Sequence, residues 1–249
     1  MNELVKDLFL AGVKWELSEN SVGFMEVLSH ANSKPDNART RTVATVVPPI
    51  SPVLPVSIET AVSMAARPTT TEALDRMIEE FNHPLRGGVS KVVLPHSAPN
   101  PNGVVIITDI PSSDDDAAGK ILTGAAGELL DKMLGAIGLS RDLVSVTPLL
   151  FWRTPGGRTP TRMELDLARP FVDRFIELVE PRIIITLGTI AANEVAGTDL
   201  MHAHGVPIDL PNGTKVFPIY HPNFLILKPA AKREVWNVLQ NVQNLLKNV

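Results

Sequence analysis

One histidine, two arginines and a run of aspartates could do chemistry in this chain, and each stands beside a proline-containing turn. His221 lies in "VFPIYHPNFLILKP" (Val216–Pro229), where a β-rich run stops. An imidazole placed there can direct an N–H at an oxygen on which negative charge develops. Asp109 and Asp114 fall in "TDIPSSDDD" (Thr108–Asp116). Carboxylates at such a position can orient water or offset a sugar cation, as they do in glycoside cleavage, and the run also reads as a solvated turn. The aspartates could attract a hard cation, but nothing else in the chain completes such a site. In "WRTPGGRTPT" (Trp152–Thr161), Pro155 and two glycines make a tight turn that leaves Arg153 and Arg158 available for phosphates.

These segments follow short apolar runs. "VVIITDI", "LVSVTPLLF", "RIIITLG" and "KVFPIYH" read as four strands. They alternate with helical patterns in "GAAGELLDKMLGAIG", "RMELDLARPFVDRFIELVE", "TIAANEVAG" and a last helix over residues 230–246. Such alternation predicts an α/β fold whose mainly parallel sheet is covered on both faces. Ligands bind such sheets at the carboxyl ends of the strands, where all the residues named above fall.

Upstream, Leu4, Leu8, Ala11, Val13 and Trp15 recur at roughly helical spacing, so residues 1–30 are expected to be a helical segment. Residues 31–71 are rich in Pro, Ser and Thr, and are expected to be a flexible linker. The α/β domain is placed at 72–249, beginning with the helix "TEALDRMIEEF" and Thr71 as its N-cap.

Of 249 residues, 44% are hydrophobic and 20% charged, a balance that suits a globular domain. No run approaches the roughly 20 apolar residues of a membrane span, and the N-terminus does not read as a signal peptide. A cytoplasmic monomer is expected. The absence of cysteine excludes disulfides, thiolate zinc sites and cysteine-ligated iron-sulfur clusters, and no cofactor is expected. With a net charge of −4, nucleic-acid binding would need a local basic patch. "TGAAG" (Thr123–Gly127) lacks the glycine pattern and following lysine of a phosphate loop, and His202 with His204 reads as an ordinary loop pair.

The four strand-end segments, in their order and spacing, resemble the uracil-DNA glycosylase superfamily, most closely its bacterial family 4 type, over roughly residues 82–248. The resemblance is carried by "GKILTGAAGELLDKMLGAIGLSRDLVSVT", "FWRTPGGRTPTRMELDLARPFV", "IELVEPRIIITLGTIAA" and "YHPNFLILKPAAKREVW". It implies a three-layer αβα sandwich around a four-stranded sheet, and DNA with a damaged or deaminated base as partner. His221 would then donate a hydrogen bond to the carbonyl of a flipped base, with Asp109 and Asp114 as the other catalytic candidates. Pro222 would stiffen a loop, with Asn223, that enters the minor groove, and Phe224 to Leu227 would provide the apolar wedge replacing the extruded base, Phe224 and Leu225 foremost. Arg153, Arg158, Lys228, Lys232 and Arg233 would meet phosphates.

The base pocket implied by the resemblance comprises Pro111, Ser112, Leu122, Thr147 and Pro148. Here the chain departs from the family. Asp109 stands where glutamate is usual, Ser112 replaces a glycine, and Leu122 replaces a stacking phenylalanine. Pro148 holds the position of an asparagine that reads the base edge, with Thr147 beside it able to supply one hydrogen bond. Trp152 occupies the position of one iron-sulfur cysteine, and packing there is expected to replace the cluster. Two functions follow as expectations: a glycosylase of base excision repair that hydrolyses the N-glycosidic bond of uracil or another deaminated base, or a non-catalytic relative that binds DNA or acts as an interaction protein. A phosphate- or nucleotide-binding protein unrelated to repair is a third.

Overall fold

Two layers of apolar side chains, one on each face of a sheet, organise the domain. A computed structural model of the chain describes residues 56–87 and 90–247, all within one compact unit, Leu54–Val249. The strands are β1 (Val104–Thr108), β2 (Val144–Pro148), β3 (Ile183–Leu187), β4 (Ile208–Asp209) and β5 (Lys215–Ile219). The sheet order is β2-β1-β3-β5-β4, parallel except for β4, which runs antiparallel to β5. The four expected strands and the αβα layering are present. The added edge strand has only two residues, too few to carry a periodic signal.

Every residue of β1, β2 and β3 is buried, as expected for strands covered on both faces. Alternation along the strands divides them between two clusters. Val105, Ile107, Ile184 and Val216 meet α1 (Ile58–Ala65), α2 (Thr71–Glu80) and α5 (Arg162–Val179) through Ala61, Leu74, Phe171 and Phe175. Val104, Ile106, Ile185 and Phe217 meet α4 (Gly124–Ala136) and α9 (Lys232–Lys247) through Leu130, Leu134, Val235 and Val238.

Two boundaries differ from expectation. Residues 58–65, inside the stretch read as a linker, form helix α1, capped by the Ser57 hydroxyl and burying Ala61 and Ala65. Small alanines at i, i+4 allow close packing on α5, a signal that the surrounding prolines and threonines concealed. Helix α2 is capped by Thr70, whose Oγ1 accepts from Ala73 N, so Thr71 is its first helical residue. The expected 1–30 helical segment and the linker up to residue 55 lie outside the described residues.

From β1 the chain crosses through α4 to β2 on one side; from β3 it passes through α6 (Thr189–Ala196) and α7 (Leu200–Ala203) towards β5 on the other. The order therefore reverses between the carboxyl ends of β1 and β3, where open α/β sheets form a binding crevice. Thr108, Asp109 and Gly188 stand at that point.

Candidate active site

His221 follows β5 and serves as N-cap of α8 (Pro222–Leu227). Pro222 at the first helical position fixes φ, and the imidazole bends back so that Nδ1 accepts the Asn223 N–H at 3.1 Å. An acceptor nitrogen carries no proton, so the neutral ring is the Nε2–H tautomer. Nε2 lies 3.1 Å from Thr108 Oγ1, across the end of β3. Burial pushes the histidine pKa down to about 4, with Asp115 pulling the other way. At neutral pH the site presents an uncharged N–H donor.

Asp109 lies at the switch point and turns its carboxylate to the amino end of α6. Oδ1 accepts the Ala191 N–H at 2.6 Å. Gly188, the N-cap of α6, has no side chain with which to cap the helix, and Asp109 supplies the oxygen from the neighbouring strand end. Burial raises the Asp109 pKa to about 6, against the backbone N–H groups of Ala191 and Ile190. It is a carboxylate at neutral pH.

The acidic run is an ordered helix start. Ser112 caps α3 (Ser113–Ala118) in a reciprocal capping box with Asp115. The buried Asp115 also accepts from Thr123 N and Oγ1 at 2.6 and 2.9 Å, tying α3 to the start of α4. Asp114 is exposed and lies against Gly124, where an added β-carbon would meet its Oδ2 at 2.2 Å. Ser112, expected in the pocket, thus has its hydroxyl engaged as a cap.

The rest of the expected pocket is closed in on itself. Pro111 is buried, and Thr147 donates its hydroxyl to the Pro148 carbonyl at 3.1 Å. Pro148 is buried opposite Thr108 in the sheet register. Leu122 is 4% exposed within the cluster on the α4 face and has φ +50°, a left-handed conformation unusual for leucine. Its carbonyl accepts from Arg141 at 2.9 Å, which helps hold that backbone. Cavities of about 550, 260 and 340 Å³ elsewhere in the domain are not lined by His221 or Thr108.

Beside His221 the expected wedge, Phe224 to Leu227, loses one member to the core. In α8, Pro222 and Leu225 share the inward face, and Leu225 is 1% exposed. Helical spacing turns Phe224, Ile226 and Leu227 outward, and Leu227 is 78% exposed. Of the expected wedge, Leu225 therefore belongs to the core, while Phe224, Ile226 and Leu227 protrude. Phe224 rests on Tyr220, and Tyr220 stacks on His204 at 4.0 Å between centroids. Asn223, Lys228, Lys232 and Arg233 are exposed around this helix. Those three cations and Arg153 form no ion pair among the described residues.

Arg158 differs from them. Its guanidinium grips both oxygens of the buried Glu164, which also closes a capping box with Thr161. Arg158 holds the Glu164 pKa down at about 2. This fork is a fastener between the "PGG" turn and α5, and the expectation of a phosphate contact from Arg158 gives way to that pairing.

Trp152, at the expected cysteine position, is 1% exposed and stacks on His83 at 4.7 Å between centroids and 8° between planes. Phe81, Phe151 and Phe171 complete the cluster. Both His83 nitrogens are engaged, Nε2 with the Glu164 carbonyl and Nδ1 with the Leu85 N–H. With no thiolate and no free imidazole nitrogen, these residues do not fit a cysteine-ligated cluster.

Sequence reasoning missed Thr108 as the partner of His221, Asp115 as the buried carboxylate of its run, and the Tyr220–His204 stack. No periodicity or motif links residues this far apart in the chain; the "HAH" pair was the one visible trace.

The domain is a mainly parallel αβα sandwich that sets a neutral histidine donor at a strand end, beside an apolar helix flanked by cations. The sequence model of the uracil DNA glycosylase superfamily matches residues 94–240, and the chain belongs to that superfamily. It is 31% identical to the type-4 uracil-DNA glycosylase of Archaeoglobus fulgidus over 140 residues, 53% of this chain and 70% of that protein. It is 32% identical to that of Pyrobaculum aerophilum over 143 residues, 53% and 72% of the two chains. It also resembles part of a DNA polymerase of Bacillus phage SP01, at 29% identity over 160 residues, 63% of this chain and 16% of that protein.

Proposed function

We propose that this protein is a DNA glycosylase of base excision repair that hydrolyses the N-glycosidic bond of uracil or another deaminated base after the nucleotide leaves the stack. The observation that carries this reading is the Nε2–H tautomer of His221, set by the Asn223 N–H. As the glycosidic bond breaks, electrons pass to the base, and its carbonyl oxygen becomes anionic. A fixed N–H aimed at that oxygen stabilises the transition state more than the ground state. Because the ring is neutral, it donates this hydrogen bond without having to lose a charge.

The complementary charge forms on the sugar. Asp109, ionised at neutral pH, offsets the oxocarbenium-like cation or orients the attacking water, with the exposed Asp114 as second candidate. Phe224 and Leu227 fill the gap left by the extruded base, while Arg153, Lys228, Lys232 and Arg233 hold the phosphates. The protein acts as a cytoplasmic monomer. Among the described residues no helix is long and apolar enough to cross a membrane.

An excision assay across DNA containing uracil, hypoxanthine or xanthine tests the activity. Wild type is expected to release base, and His221→Ala to do so about 100-fold more slowly or worse, while DNA binding persists. Absence of release from all three substrates removes the enzymatic reading. A second reading, a non-catalytic DNA-binding member, is favoured by the internally satisfied hydroxyls of Ser112 and Thr147 and by Pro148, which has no donor. Salt-dependent DNA binding without base release would support it.

A further inference from the structure

We propose that Thr108 competes with the substrate: its hydroxyl oxygen occupies the one N–H that His221 offers, so a base carbonyl must displace it to react. This rests on the glycosylase reading above. Nδ1 is committed to the Asn223 N–H, which leaves Nε2–H as the only donor of the neutral ring, and that donor already points at Thr108 Oγ1 at 3.1 Å. Thr108 is 1% exposed, so bulk water does not share that contact.

The backbone of Thr108 cannot withdraw. It ends β1 between Pro148 and Leu187 in the sheet register, and its carbonyl accepts from Leu149 N at 3.0 Å. The free coordinate is χ1, and β-branching allows few states. Rotation would take the oxygen away from Nε2, leaving the N–H for another acceptor.

The competition sorts acceptors by strength. A neutral carbonyl replaces a hydroxyl oxygen with little gain. An oxygen that carries developing anionic charge accepts roughly twice as strongly. The cost of displacing Thr108 is the same at every stage and for every base, so the residue weakens each contact with the Nε2–H equally and leaves a clear gain from the exchange only to a strongly accepting oxygen. The neighbouring Pro148 and Thr147 have no free side-chain donor to read a base edge, so the N–H that Thr108 covers is the donor at issue on this wall.

The test uses the full chain with Thr108→Ala, Thr108→Val and Thr108→Ser. Ring ¹⁵N spectra of wild type are expected to show the Nε2–H tautomer, with an exchange-protected proton that persists in T108S and is lost in T108A and T108V. Single-turnover kinetics on uracil-containing DNA should show kcat/KM raised about fivefold in T108A and T108V, mostly through KM, with T108S close to wild type. T108V keeps the volume, so a rise there assigns the effect to the hydrogen bond. If T108A and T108V are slower while T108S is not, the hydroxyl assists the base, and the proposal is overturned. An Nδ1–H tautomer also overturns it. Should neither wild type nor variant release base, the glycosylase reading fails separately. The competition is then read from equilibrium binding of uracil-containing DNA, where about fivefold tighter binding by T108A supports it and unchanged affinity rejects it.

Discussion

The carboxylate of Asp109 occupies the space that a β-carbon on Gly188 would need: an added Cβ would lie 2.2 Å from Oδ2. Gly188 also has φ +103°, a conformation open to glycine and strained for other residues. The two residues end adjacent strands, and their fit lets a side chain from β1 cap the helix that follows β3. Gly188→Ala is expected to destabilise the domain by about 2 kcal/mol or more, since strain and collision add. Thermal unfolding checks this, and Asp109→Ala in the same background should recover only the collision part.

The shifted groups at the site give opposed pH dependences. Asp109 has a folded pKa of about 6, above the 3.8 of a free aspartate, so its contribution to stability is present at low pH and lost as pH rises through 6. His221 has a folded pKa of about 4, below 6.5, so its contribution is present above 6.5 and lost as pH falls towards 4. Between 4 and 6 they oppose each other. Asp109→Asn should therefore make stability climb more steeply with pH over this window than in wild type, as measured by urea unfolding at several pH values. If the Asp109 carboxylate serves the reaction, base release should fall about tenfold per unit below pH 6, and that limb should vanish in Asp109→Asn.

The Trp152–His83 stack predicts a stability defect. Trp152→Ala should cost about 3–5 kcal/mol, the usual range for removing a buried aromatic, and Trp152→Phe clearly less. Denaturant unfolding reads both. The loss should appear with His221 chemistry unchanged under folding conditions, because the stack lies among the residues that join α1, α2 and α5.

Lys228, Lys232 and Arg233 should act through phosphates alone. Replacing all three by alanine is expected to flatten the dependence of log K on log salt by about 0.7 per lost contact on single-stranded DNA, without altering thermal stability. Arg158→Ala should do the reverse. It leaves Glu164 buried without its partner, lowering the melting temperature while the salt slope stays the same.

The strands and long helices were legible because each is a local pattern. "VVIIT" and "IIITL" are continuous apolar runs that suit strands buried on both faces, and α4 and α9 carry apolar residues at helical spacing. Helix α1 was not, because its burial depends on two alanines whose value lies in how closely α5 can approach. The carriage of His221 at the end of β5 was legible for the same local reason.

What the amino-acid order determined alone was the sheet, the absence of cysteine, and the grouping of an imidazole, carboxylates and cations at strand ends. Tertiary structure decided their duties. It gave Asp115 and Ser112 to a helix cap, Arg158 to Glu164, and Leu225 to the core, and it placed the Thr108 hydroxyl before Nε2 of His221. The physical reason is reach. Periodicity reports which face of an element is buried, while a hydrogen bond between residues 108 and 221 exists only once β1, β3 and β5 lie side by side.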